Sequence, residues 1–297
     1  MEYICCIFVK EGIAKSENSP LPDVKYHSIE SALDYITNLK KNHLNKFLIF
    51  GVPLKKDLKL ASTSTSIVSK FAIHAKKKFG DSITLVADVG LSPYREDGHS
   101  VILDTNGHIN ETESYAAASA LAVAFAKAGF DKVAPCLSLH DQVKHLRIAL
   151  NRAGLSKTKI LAYSSKFSSS LYGPYRQTIK SVLKSEDKKH YQTDYDNPKQ
   201  ALEQIRIDEE QGADIVMVKP GAFYLDILYQ ARGLTKLPLA VYHVSGEYAM
   251  IKAAAKNGLI DENEAFDEIH SGFNRCGTDY VIGYAPEHFT RWKKKFD

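Results

Sequence analysis

Apolar residues in this chain gather in eight short runs, at 4–9, 47–52, 83–89, 132–135, 160–164, 214–219, 237–244 and 279–284. The runs are near-continuous rather than alternating, which is the pattern of strands buried on both faces. Helical patterns lie between them. Residues 114–129 (SYAAASALAVAFAKAG) are nearly all apolar on one face, residues 200–212 (QALEQIRIDEEQG) are amphipathic, and a glycine stops each. Eight strand–helix alternations in 297 residues predict one (β/α)8 TIM barrel, a single domain over 1–297. An open doubly wound sheet is the alternative, but no GxGxxG or P-loop follows the early strands.

The barrel prediction gives two lysines a meaning. Lys166, in YSSKFSSSLYGPYR, follows the fifth run, and Lys219, in IVMVKPGAFYLDIL, ends the sixth. Residues at the C-terminal ends of barrel strands face a common mouth, and neighbouring strands lie about 4.8 Å apart. A lysine beside a second cation in a partly dry pocket has a lowered pKa, and its neutral amine attacks ketones to form imines. Paired imine chemistry is therefore the expectation.

Charge and cysteine content narrow the class. The 39 basic and 35 acidic residues leave a net charge of +4, with lysines spread along the chain, which argues against a nucleic-acid partner. Cys5, Cys6, Cys136 and Cys276 have neither metal-ligand nor disulfide-framework spacing, so a reducing, cytoplasmic setting is expected. The first apolar run lacks a basic lead and soon meets Lys10 and Glu11, so it reads as a strand rather than a signal peptide or membrane span.

The strings VADVGLSPYREDGH, YSSKFSSSLYGPYR, MVKPGAFYLDI and LAVYHVSGEYAM, in this order, resemble the porphobilinogen synthase (5-aminolevulinate dehydratase) family from about Ile4 to Trp292. The resemblance implies a lyase that condenses two 5-aminolevulinate molecules into porphobilinogen, on the route to haem and other tetrapyrroles. It implies that Lys219 holds the first substrate and Lys166 the second. Ser245 and Tyr284, with Gln192 nearby, match receptors for the first carboxylate, and Arg176 and Lys188 match receptors for the second. Lys188 stands where many members carry arginine, so a point charge replaces a bidentate fork. Asp88, at a strand end facing the lysines, is a candidate for handling protons of the second substrate's amine, with a structural ion pair as the alternative.

Residues 177–199 are polar and aperiodic and suit a lid that expels water from imines, an ordinary surface excursion being the alternative. Tyr172 and Tyr175, around Gly173-Pro174, form an aromatic turn at its base. Zinc-using members carry three cysteines where this chain has Gly90, Ser92 and Ser100, none a good zinc ligand. No catalytic zinc is expected, and magnesium or potassium finds no support. Arg95 is a candidate replacement for the metal's charge. Leu137, His140 and Gln142 replace two aspartates and an arginine of the family pattern, and Gln204 lies near a glutamate tied to magnesium regulation in some members. The chain begins almost at its first strand, without the family's long arm, so a homo-oligomer is expected with a dimer favoured over an octamer. Two other readings stand beside the main one: a paralogue acting on a different amino keto acid, and an inactive barrel that binds a carboxylate ligand.

Overall fold

The computed structural model describes residues 1–181, 183 and 188–296. Ten strands form one sheet: β1 (Glu2–Lys10), β2 (Glu17–Asn18), β3 (Lys25–His27), β4 (Lys46–Val52), β5 (Thr84–Val89), β6 (Lys132–Pro135), β7 (Lys159–Lys166), β8 (Ile215–Lys219), β9 (Leu239–Tyr242) and β10 (Tyr280–Gly283). Parallel pairing runs from β10 through β9, β8, β7, β6, β5 and β4 to β1. β1 then pairs with β10, Ile4 opposite Ile282, and closes an eight-stranded barrel covered by helices. All eight predicted runs are barrel strands. The short β2 and β3 extend the sheet beside β1 and were not predicted, because two or three mostly polar residues carry no hydrophobic period.

Alternation sorts the strand residues into two cores. Phe8, Leu48, Phe50, Val86, Leu161, Met217, Tyr242 and Ile282 fill the barrel interior. Val9, Phe47, Ile49, Ala162, Val216 and Val218 face the helical layer with Phe71, Leu121 and Phe125. Both faces are apolar, which is why the runs look continuous in sequence. Side-chain oxygens start the helices, as with Ser28, Ser66, Asn110, Asn197 and Asp261.

The floor of the barrel carries a repeated bracket. Asp131, Asp214 and Asp279 each precede a strand, and each accepts the backbone N–H at the start of the preceding one: Leu85 at 2.7 Å, Ile160 at 2.8 Å and Leu239 at 2.8 Å. A cation from the helical layer completes each bracket: Lys76, Arg147 and Arg232. A charged acceptor strengthens these strand-start hydrogen bonds at the end away from the mouth.

Candidate active site

Inward-facing residues at the strand tops meet in the mouth: Asp88 on β5, Cys136 after β6, Lys166 on β7, Lys219 on β8, Tyr242 on β9 and Tyr284 after β10. Lys219 follows directly from the two-residue period, since Ile215 and Met217 point the same way. Lys166 does not. Leu161 and Tyr163 face inward, so strict alternation would send Lys166 outward.

A β-bulge corrects the phase. Ala162 pairs with Val216 and Ser165 with Val218, so β7 carries one more residue than β8 in this interval. Ser165 donates to the Ala201 carbonyl at 2.6 Å in the helix Pro198–Glu210, and the Ser164 hydroxyl sits beside Asp208 of the same helix. With both serines turned outward, Lys166 returns to the interior as the Cα partner of Lys219. Lys166 is the last residue of its strand rather than the residue after it.

Lys219 is buried among aromatic faces, 4.1 Å from the Tyr242 ring centroid and 4.8, 5.1 and 5.7 Å from those of Tyr163, Tyr172 and Tyr175. Burial, then repulsion from Lys166, lowers its pKa to about 8. Lys166 donates to the Cys136 carbonyl. Burial raises the pKa of Asp88 while Lys219, Lys166 and the hydroxyl of Tyr163, which donates at 3.1 Å, pull it back.

The predicted second-carboxylate receptors are buried over this mouth. Lys188 donates to Ser100 Oγ at 3.2 Å, and burial, followed by Lys166 and Arg176, lowers its pKa to about 7. Arg176 lies 5.8 Å from the Tyr172 ring centroid and donates to the Ser169 carbonyl. Gln192 is buried, and its Oε1 has no partner among the described residues.

Of the first-carboxylate set, the Tyr284 hydroxyl meets that of Tyr242 at 2.9 Å. Ser245 starts the helix Ser245–Lys256, accepts from the Tyr175 N–H at 3.0 Å and donates to the Leu171 carbonyl at 3.3 Å. A Cβ on Gly246 would run into the Leu171 backbone, so a glycine lets this helix start pack against the segment below the lid. That segment is a short helical turn, Ser170–Tyr172, followed by the helix Gly173–Thr178, rather than a simple aromatic turn. Tyr172 donates to the Phe167 carbonyl at 2.7 Å, and Tyr175 packs on Phe50.

The lid expectation is described in part. Residues 182 and 184–187 lie outside the described residues. The returning stretch is stitched to the end of β7, Thr193 N donating to the Lys166 carbonyl and Ser168 N to the Thr193 carbonyl.

Several departures from the family pattern have other occupations. Arg95 pairs with Asp97. His140 is exposed beside Asp141. Gln142 is fully buried and accepts from the Leu137 and Ser138 N–H groups, so it shapes the segment whose start receives Lys166. Gln204 donates to the His140 carbonyl and to Asp208. Among the described residues no three His, Cys, Asp or Glu side chains converge as metal ligands. A Cβ at Gly90 would meet Asp88 Oδ2 and Cys136 Sγ, each at 2.8 Å. No helix among those residues is long and apolar enough to cross a membrane.

Sequence reasoning missed Tyr163, Tyr242, Cys136 and Glu247. The first three were accessible by counting in twos along the inward face of their strands; Glu247 was hidden in the first turn of a helix.

Fold and site together define a barrel enzyme whose mouth holds two registered lysines. Residues 1–292 match the family model for delta-aminolevulinic acid dehydratase. The Helicobacter pylori delta-aminolevulinic acid dehydratase is 39% identical over 95% of this chain and 88% of its own length, and that of Synechococcus elongatus is 37% identical over 95% and 87%. The crystal structure of the Toxoplasma gondii enzyme, also named porphobilinogen synthase, in complex with its reaction product porphobilinogen superposes with a TM-score of 0.93. It is 33% identical, across 98% of this chain and 84% of that one. The chain belongs to the delta-aminolevulinic acid dehydratase family, a family of lyases.

Proposed function

We propose that this enzyme condenses two molecules of 5-aminolevulinate into porphobilinogen through imines on Lys219 and Lys166, without catalytic zinc. The observation that carries the reading is the registered pair of buried lysines, one with its pKa lowered to about 8. Neutral Lys219 adds to the ketone of the first substrate and releases that oxygen as water. Its carboxylate is received by Ser245 and Tyr284 with Gln192 nearby. Lys166 takes the second ketone in the same way, and Arg176 and Lys188 receive the second carboxylate. An iminium is an electron sink, so one imine loses a proton from its neighbouring carbon and that carbon attacks the imine carbon on the other lysine; loss of a further proton from the joined carbon then expels that lysine's amine and leaves a carbon–carbon double bond. Attack by a substrate amine on the remaining iminium carbon displaces the lysine and closes the ring. Proton loss then gives the pyrrole, and two waters have left in all. Asp88, beside both lysines, is placed to accept a proton from the second substrate's amine.

The donor set supports zinc independence: a glycine and two serines at positions 90, 92 and 100 offer no thiolate, imidazole or carboxylate. Ser100 instead accepts from Lys188, so an ammonium stands next to it. The test follows pyrrole formation from 5-aminolevulinate with an aldehyde reagent, with and without chelator. Chelator-resistant product that vanishes in Lys219→Ala supports the proposal, and activity that needs stoichiometric zinc overturns its metal-free half. A different amino ketone is the second reading, favoured by the uncharged Leu137 and Gln142 near Lys166. Absence of pyrrole, with borohydride trapping of another ketone on Lys219, would select it.

A further inference from the structure

Glu247 is a buried carboxylate that touches neither lysine, yet it ties together two segments of the first-substrate site. It sits in the first turn of the helix Ser245–Lys256, with 4% of its surface exposed. Oε2 accepts from the Val244 N–H at 2.8 Å, immediately before Ser245. Oε1 crosses to the turn after β8 and accepts from the Ala222 N–H at 2.7 Å, with the Phe223 N–H at 3.4 Å; Gly221 N–H lies 3.4 Å from Oε2. That turn begins at Lys219. One carboxylate therefore gathers donors from the segment bearing the proposed imine lysine and from the segment bearing the proposed carboxylate receptor.

The arrangement exceeds what helix capping requires. A reach back to Val244 alone would satisfy an N-terminal donor of this helix. Gly221 is buried against Val241 and Phe273, so without this carboxylate its N–H would face an apolar layer with no acceptor, and buried unpaired donors are costly. A carboxylate can accept several N–H groups on two oxygens, while an amide of the same shape aims its own N–H groups at some of them.

We propose that Glu247 is a positioning residue that fixes the spacing between Lys219 and Ser245, and so selects a substrate whose ketone and carboxylate are separated by the matching length. The inference rests on the proposed imine on Lys219. Its physical basis is that a bound reactant misplaced by about 1 Å can lose on the order of 100-fold in rate.

The test compares wild type with Glu247→Gln, and with Glu247→Asp, which keeps the charge near its own helix while drawing it back from Ala222. The rate of borohydride trapping on Lys219 with 5-aminolevulinate is measured beside the rate of carbamylation of each lysine by cyanate across pH, read by mass spectrometry. In the folded Gln variant the expected result is a fall in Lys219 trapping of roughly 100-fold, with a displaced cyanate profile for Lys219 and an unchanged profile for Lys188. If that variant does not fold, the Asp variant carries the same expectation. Trapping and KM within twofold of wild type overturn the proposal, as do equal displacements at both lysines, which would mark general loosening. If wild type forms no imine with 5-aminolevulinate, the proposed substrate is wrong, and the cyanate profiles, which need no substrate, still decide whether Glu247 positions Lys219.

Discussion

Lys166 and Lys219 are Cα partners across β7 and β8, and only the extra residue in β7 makes them so. The register turns two strand-end amines into one site, and it exposes the second lysine to a single-residue change.

Inserting one alanine between Ser165 and Lys166 should carry the lysine one position past Lys219 and turn it toward the helix Pro198–Glu210. The expected protein still traps a ketone on Lys219 under borohydride but makes no pyrrole. Pyrrole formation at wild-type rate would show that the bulge does not set the second site.

The two shifted lysines give opposing pH limbs. Lys219, at about 8, needs to be neutral to attack, so single-turnover imine formation should rise about tenfold per unit up to that value and then level. Lys188, at about 7, needs to be charged to hold a carboxylate, so the KM for the second substrate should climb as pH rises past about 7. A rate profile flat from about pH 6 to 9 contradicts both assignments.

Replacing Lys188 with arginine separates these limbs. Arginine stays protonated and grips a carboxylate with two parallel donors. Lys188→Arg should lower the KM and remove its rise above about pH 7, leaving the Lys219 limb in place. Steady-state kinetics at pH 6.5 and 8.5 check this, and an unchanged KM at both would count against Lys188 as the receptor.

Acid should loosen the layer outside the barrel. His243 and His270 are buried, and burial lowers the pKa of each to about 3. His270 Nδ1 and Nε2 and His243 Nε2 have no partner among the described residues. Between about pH 3 and 6.5 the unfolded chain binds protons at these sites and the fold does not, so stability falls with pH throughout that window. The slope is at most about 1.4 kcal/mol per unit for each histidine. Denaturant unfolding at pH 7 and 5 should show the loss, and His270→Phe should reduce it.

The strands were legible because β1 and β4 to β10 are buried on both faces, which leaves apolar runs that no surface loop imitates. Lys219 was legible for the same reason. The bulge was not, since Ser164 and Ser165 read like a strand fraying into a loop, and their outward turn depends on a helix more than thirty residues later. Glu247 was hidden because an acid in the first turn of a helix has an ordinary local explanation. Arg95 was drawn toward chemistry by its place in a rim loop, yet it pairs with the neighbouring Asp97 in the loop.

The aspartate brackets beneath β5, β7 and β9 rely on strand starts and helix cations, and none engages a rim residue. The barrel thus separates what must be inherited from what can be rewritten. A lineage can exchange the segment around Leu137, His140 and Gln142, or empty positions 90, 92 and 100 of thiols, without touching the bonds that order its strands. Divergence at the mouth is then no sign of a decaying protein, and new substrates can be explored from a scaffold whose foundations stay fixed.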